Sequence, residues 1–285
     1  MRAAAFAYHA PTSIDEALTV LSQHGDDARL LAGGQSLVPT MTARLARPTV
    51  LIDLNRIENA ALPTISAGRL RVPPLMRHAD FERLSANGPL STILAELSGH
   101  IGHLPIRMRG TFCGALAHAD PAAEWCLASV VLGAELLVRS MTRGVRNIEA
   151  ADFFESMMDT TLADDEMIIE AQIPLLPAAT RYGFSEICRR SGDYALASTL
   201  VVYQRDEDEM TKVRLGVGGV EATPRRIPEA EAMLERREPT RQLFREVADL
   251  VASAVDPVSD LAADADYRRE LTRAAVSRAL DRSFR

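Results

Sequence analysis

Cysteine is scarce in this chain: Cys113, Cys126 and Cys188 are the only three in 285 residues. An odd, widely spaced set makes no disulfide framework. It also falls short of the four thiolates an iron–sulfur cluster takes, so any such cluster this protein works with is expected on another chain. Cys126 and Cys188 read as small buried thiols. No apolar run approaches the length of a membrane span. The N-terminal stretch is weakly apolar and interrupted by His9 and Pro11, which is not the pattern of a secretion signal; a cytoplasmic location is expected. Basic residues gather into no stripe. The formal charge of -7 and a pI near 5.5 argue against nucleic acid or an anionic membrane as partner. There is no G-x-G-x-x-G after the first strand, which disfavours a Rossmann domain. No serine sits in a nucleophile elbow, and His100 and His103 lack a third ligand at metal-site spacing.

What is present is the composition of a globular protein, 47% hydrophobic and 25% charged, at a length of about two domains. Ser13-Ile14-Asp15-Glu16 is a capping box. It opens a helix whose apolar face is Ile14, Ala17, Leu18 and Leu21. Strands are expected at residues 29–32, 49–54, 69–72, 135–138 and 167–169. Leu90, Ile93, Leu94 and Leu97 mark a helix that Gly99 closes. Asp120-Pro121 reads as a cap and first-turn proline of a helix running to about Leu132. Residues 174–177 make the best linker. Beyond it, strands near 182–188, 196–203 and 213–220, with a charged turn at 205–209, precede helices from about Ile227, Arg241 and Tyr267. The expectation is an α+β protein of two domains, residues 1–175 and 178–285.

Two loops carry the candidate chemistry. In Leu31-Ala32-Gly33-Gly34-Gln35-Ser36-Leu37, a strand runs through paired glycines into a helical turn. Glycines allow positive φ and close approach of a bulky anion, and successive N–H groups at a helix start favour phosphate. The same pattern also serves as a plain tight turn. The second loop, Arg109-Gly110-Thr111-Phe112-Cys113-Gly114-Ala115, again combines glycine, threonine and a helix start. Beyond it, Asp120 and Glu124 either accept bonds from sugar-like hydroxyls or act as a helix cap and a first-turn carboxylate. Two such loops in one domain suggest a pyrophosphate held between them.

Residues 32–39, continuing through Arg44-Leu45-Ala46-Arg47-Pro48 to Ile52-Asp53-Leu54, resemble the first flavin signature of the FAD-binding (medium) subunits of molybdenum hydroxylases, the xanthine dehydrogenase and carbon monoxide dehydrogenase family. Residues 111–124 are similar to the second signature. Arg189-Arg190-Ser191-Gly192-Asp193-Tyr194-Ala195, Gly216-Val217-Gly218-Gly219-Val220 and Asp266-Tyr267-Arg268-Arg269-Glu270-Leu271 fit the C-terminal part, so the resemblance spans nearly the whole chain in order.

The resemblance implies a two-lobed FAD-binding domain of the PCMH type, followed by a domain of antiparallel strands and helices. Ala32, Gly33, Gly34, Gln35, Ser36 and Leu37, with Thr111, Phe112, Cys113, Gly114 and Ala115, would cradle the FAD pyrophosphate. Glu124 and Asp120 would meet the ribityl chain, Leu162 the adenine, and Asp193 and Tyr194 the isoalloxazine. It also implies an oxidoreductase subunit that carries FAD. Its partners would be a small [2Fe–2S] subunit and a large molybdopterin subunit, assembled as a dimer of heterotrimers. Electrons would pass from the clusters to FAD and on to an external acceptor. No general acid or base is needed on this chain.

The departures from the family pattern surround the expected cofactor. Cys113 stands for a usual glycine, Met108 for asparagine, Pro105 for glutamine, Pro73-Pro74 for Gly-Ala, and Glu186 for a lysine that often faces the flavin. They motivate one rival reading, a non-catalytic assembly subunit that has lost FAD. A second rival is a stand-alone flavin oxidoreductase of related fold. Cys113 itself is either a tolerated small residue or a thiol activated by a helix start.

Overall fold

The computed structural model describes residues 2–58, 60–84 and 88–284. The first lobe follows from the strand–helix–strand reading. Strand β1 (Ala7–His9), helix α1 (Ile14–His24), strand β2 (Ala28–Leu31), the short helix α2 (Leu37–Thr42) and strand β3 (Val50–Asp53) build a parallel sheet of order β1-β3-β2. Ser13 caps α1 as expected, accepting from the Glu16 N–H at 3.2 Å. Ala17, Leu18 and Leu21 are buried against Ala28, Val50 and Ile52. Met167 and Leu75 join the same core, so the first lobe is closed by residues of the second.

The second lobe is an antiparallel sheet of β4 (Thr64–Ser66), β5 (Arg69–Val72), β6 (Glu135–Ser140), β7 (Gly144–Glu149) and, after the small hairpin β8 (Phe154–Ser156) and β9 (Asp159–Thr160), β10 (Met167–Pro174). Its strand order is β4-β5-β10-β6-β7. Between β5 and β6 lie the helices α3 (His78–Phe81), α4 (Pro89–His100), α5 (Leu104–Arg107), α6 (Phe112–His118) and α7 (Glu124–Leu132). Strand β10 runs on to Pro174, past the expected 167–169, and two helix boundaries also differ from the sequence reading. Helix α4 runs through Gly99 to His100, and the chain turns at Gly102, where φ is 47°. Helix α7 begins at Glu124 rather than after Pro121. Asp120 instead closes a turn, accepting from the Ala122 N–H at 2.9 Å, and Ala123 occupies the N-cap.

Helix α7 is buried on every side from Trp125 to Leu132. A helix apolar all round belongs between two layers, and α7 has the second-lobe sheet on one side. On the other lies an antiparallel sheet of β11 (Thr180–Ile187), β12 (Ala197–Asp206), β13 (Glu209–Gly218) and β14 (Arg225–Arg226). Phe184, Leu200 and Val202 of that sheet share a core with Trp125, Phe81 and Phe112. Each such fully buried side chain contributes about 1.5–3 kcal/mol of transfer free energy. The opposite face of the sheet is covered by α8 (Pro228–Leu234), α9 (Arg241–Ala254) and α10 (Ala265–Phe284), whose apolar side chains form a separate core with Val201, Leu215 and Val217. The architecture is the expected α+β one.

Arg268 on α10 is 4% exposed. It donates to the Leu196 carbonyl at 2.9 Å, to the Gly219 carbonyl at 2.5 Å and to Asp260 Oδ2 at 2.7 Å. Replacing it with an apolar side chain strands two buried acceptors, each costing about 1–3 kcal/mol. Arg268→Met should therefore lower the urea midpoint at an unchanged unfolding slope. A wild-type midpoint would show that these bonds do not hold the helix to the sheet.

Candidate functional site

Strand β2 delivers the first loop to the junction of the two lobes. Gly34 has φ 70°, the left-handed conformation the paired glycines suggested. Gly33 is required for a different reason. A Cβ there would stand 2.3 Å from the Arg109 carbonyl oxygen and 2.6 Å from Gly110 Cα. The two candidate loops thus rest backbone against backbone. The N–H groups of residues 33–37 have no hydrogen-bond partner among the described residues. Such a row is costly unless water or a ligand accepts from it.

Side chains tie the two loops together. Asn55 Nδ2 donates to the Ala32 carbonyl at 2.8 Å, while Asn55 Oδ1 accepts from Arg77 Nη2 at 2.6 Å. Arg77 Nη1 donates to the Arg109 carbonyl. Asp53 holds Asn55 in place by accepting from its N–H at 2.9 Å, and it also accepts from the Tyr8 hydroxyl at 2.6 Å. Burial raises the Asp53 carboxyl, but the bonds from Tyr8 and Asn55 outweigh it and hold it below the usual range.

The second loop enters α6 with Thr111 as N-cap, accepting from the Gly114 N–H at 3.2 Å. Phe112 corrects its expected role. Its side chain lies in the aromatic core, 5.1 Å between ring centroids from Trp125, and its N–H is spent on the Met76 carbonyl. The Cys113 thiol, 3% exposed, points to the backbone carbonyls of Val72 and Pro73. Burial pushes it up to about 12, with a minor contribution from Glu170, so it is not an activated nucleophile. The backbone at Cys113 is helical with negative φ, so the side chain brings no strain. The N–H groups of Thr111 and Cys113 stay unpartnered among the described residues. Behind the loop, His78 Nδ1 accepts from Trp125 Nε1 at 2.9 Å, and its N–H donates to the Gly110 carbonyl at 3.0 Å. Burial lowers His78 to about 4, aided by Arg77 and Arg107, which keeps the ring neutral and its remaining proton on Nε2.

The loops open into a cleft of about 730 Å³ between the lobes, within the range of ligand sites. Ala32, Gly33, Gly34, Gln35, Ser36, Leu37, Thr111, Cys113, Gly114, Ala115 and Leu162 all line it. The segment bearing Leu162 is built by Arg146, which donates to both Glu166 oxygens at 2.8 and 2.7 Å and to the Thr161 carbonyl at 2.8 Å. The Arg146 hydrogen bond, against burial, holds Glu166 below its ordinary range.

Asp120, Glu124, Asp193 and Tyr194 do not line this cleft; they gather at its edge. The exposed Tyr194 phenol lies near Ser36, Asp120 and Glu124. Asp193 is exposed and lies near Cys188. Glu186 approaches Glu124 from β11, and burial together with Glu186 pushes Glu124 up to about 8. Asn55, Arg77 and His78 were not singled out from the sequence. Each acts through a backbone carbonyl or a neighbouring side chain, and no local motif marks such a role. Among the described residues no metal-binding group occurs, and no helix is long and apolar enough to cross a membrane.

Residues 4–176 match the family described as the FAD binding domain in molybdopterin dehydrogenase, and residues 182–283 match the CO dehydrogenase flavoprotein C-terminal domain. The chain belongs to the FAD-binding medium subunits of the molybdenum hydroxylases. It is 36% identical to the nicotine 6-hydroxylase medium subunit of Paenarthrobacter nicotinovorans, over 98% of both chains. It superposes on a chain of carbon monoxide dehydrogenase from Hydrogenophaga pseudoflava with a TM-score of 0.95 and 32% identity, covering 100% of this chain and 99% of that one. Against a chain of quinoline 2-oxidoreductase from Pseudomonas putida 86 the TM-score is 0.92 at 31% identity, with 99% and 98% covered. The medium subunit is thus an oxidoreductase component with an FAD-binding domain. Its own geometry fits that cofactor: N–H groups of residues 33–37, Thr111 and Cys113, unpartnered among the described residues, come from two loops that Gly33 lets touch.

Gly33→Ala should force the loops apart. Overpacking of this kind costs about 1–3 kcal/mol, and each 1.4 kcal/mol of lost binding is about tenfold in affinity. Titration of the flavin-free variant with FAD should show weakening of about tenfold or more; wild-type affinity would mean the loop contact does not shape the site.

Proposed function

We propose that this chain is the electron-transfer flavoprotein of its complex. It would receive electrons from the [2Fe–2S] clusters of a small partner subunit and pass them to an external acceptor, while a large molybdopterin subunit oxidises the organic substrate. FAD supplies the redox chemistry between one-electron and two-electron partners; the protein supplies binding and orientation. The observation that carries this reading is the pair of back-to-back loops with unpartnered N–H groups. Cysteine chemistry supports it: Cys113 and Cys126 are buried and driven upward mainly by desolvation, so this chain has no thiolate set for a cluster of its own.

In this reading residues 1–175 form the FAD-binding domain and 178–285 the C-terminal domain. Ala32 to Leu37 and Thr111 to Ala115 hold the pyrophosphate, with Phe112 acting as the buried anchor of its loop. Leu162 meets the adenine, Asp120 and Glu124 the ribityl chain, and Asp193 with Tyr194 the isoalloxazine. The complex is a cytoplasmic dimer of heterotrimers. The strain-free Cys113 favours this flavin-bearing role over a subunit that has lost FAD.

The test uses the purified complex carrying Gly34→Val, whose Cβ would stand 3.0 Å from Leu31 Cδ1 at a position of positive φ. Substrate should still bleach the cluster absorbance, while flavin absorbance and reduction of the external acceptor are both lost. Acceptor reduction at the wild-type rate without flavin would overturn the proposed route. Turnover of an organic substrate by this chain alone would favour a self-sufficient flavin enzyme.

A further inference from the structure

Helix α4 packs against both β11 and α7; its last residue, His100, faces Glu186 near the end of β11, and Glu124 at the start of α7 lies close enough to Glu186 for the two carboxyls to interact. The Glu186 side chain is 2% exposed. Its Oε2 is buried and has no hydrogen-bond partner among the other described groups. Its Oε1 lies 3.7 Å from His100 Nδ1, too long for a hydrogen bond. No arginine or lysine forms an ion pair with Glu124 or Glu186 among the described residues. The remaining groups facing the pair are Asp120, Cys188, Asp193 and Tyr194, none of them a cation. The Phe184 ring packs edge-on against His100, with ring centroids 5.0 Å apart. Two carboxylates cannot both stay ionised in contact without a counterion, because their repulsion and desolvation add.

We propose that Glu124 and Glu186 share a single proton, forming a carboxyl–carboxylate hydrogen bond that latches β11 of the C-terminal sheet to α7 of the FAD-binding domain. The latch has a consequence for the site. Strand β11 leads through Cys188 into the loop that carries Tyr194 to Ser36, so loss of the proton drives apart the carboxyls that set where Tyr194 sits. The latch itself stands on the two carboxyls alone; only the Tyr194 consequence rests on the flavin reading above.

Burial and Glu186 raise Glu124 from 4.5 to about 8. The folded chain therefore keeps a proton that the unfolded chain releases above about 4.5. The stability this contributes is complete below about 4.5 and is lost as pH rises through about 8. His78 acts in the opposite sense: lowered from 6.5 to about 4, it contributes stability above 6.5 that disappears as pH falls. The window between about 6.5 and 8 therefore isolates the acid pair.

The experiment uses the FAD-loaded full-length chain, unmodified and as E124Q, E186Q and H100Q. Infrared spectra at pH 7 should show the carbonyl stretch of a buried protonated carboxyl, shifted in D2O. That band should disappear in both E124Q and E186Q and persist in H100Q. The thermal midpoint of the unmodified chain should fall between pH 6.5 and 8, and this slope should flatten in the two glutamine variants of the pair. Absence of the band from the unmodified chain overturns the proposal even if a variant fails to fold. So does a slope removed by H100Q alone, which would place the proton on the imidazole. Flavin absorbance is read in the same samples. A chain that retains the band but takes up no FAD strikes down the flavin reading and leaves the latch standing.

Discussion

The backbone of Gly33 lies directly on that of Arg109 and Gly110, and the rest of the site depends on that contact. Only a residue without a side chain permits it. Because the loops touch, the ends of the first-lobe sheet and the start of α6 converge on one cleft. Because hydrogen bonds from Asn55 and Arg77 consume the carbonyls of Ala32 and Arg109, the first loop holds its position without using the N–H groups of residues 33–37, and the second leaves those of Thr111 and Cys113 unused. Donors left unused by the protein in this way are open to an anionic ligand. The same economy explains why neutral His78 backs the second loop: a charged ring there would need a partner the core does not contain.

Helix α7 links this cleft to the C-terminal sheet. Its apolar surface is buried between two layers, and it begins at Glu124 beside the cleft. The glycine-rich end of β13 packs against it, and the Gly219 N–H donates to the Pro121 carbonyl at 2.7 Å just before the helix starts. Arg268 grips the Gly219 carbonyl from the opposite side. A chain of contacts thus runs from α10 through the sheet edge to the loop bearing Asp120. Tyr194, itself exposed, lies near Ser36 and Asp120 on the loop that follows β11.

Much of this was legible in the sequence because it is local. The capping box at Ser13, the positive φ at Gly34 and the alternating strands each follow from residue chemistry within a few positions. The loop residues from Ala32 to Leu37 line the cleft as that pattern suggested. What failed was information carried by partners far along the chain. Phe112 reads as part of a loop, yet the aromatic pair Phe81 and Trp125 claims its ring. Asp120 reads as a helix cap, yet the Gly219 contact holds the following residues in a turn and delays the helix to Glu124. Asn55, Arg77 and His78 acquire roles only once two lobes bring their carbonyl partners within reach.

Of the residues that the resemblance singles out as unusual, Cys113, Pro73-Pro74 and Glu186 fall into two physical kinds. Cys113 and the adjacent Pro73-Pro74 are compensated locally: the thiol fills space against the Val72 and Pro73 carbonyls, and helical φ at Cys113 needs no glycine. A loop whose donors come largely from residues 33–37 loses little when prolines elsewhere bring no N–H. Glu186 is different, because volume cannot compensate charge. A carboxylate placed beside Glu124 with no arginine or lysine paired to either favours a proton held between the two. At the seam beside the cleft, Glu186 therefore acts through its charge rather than through its shape.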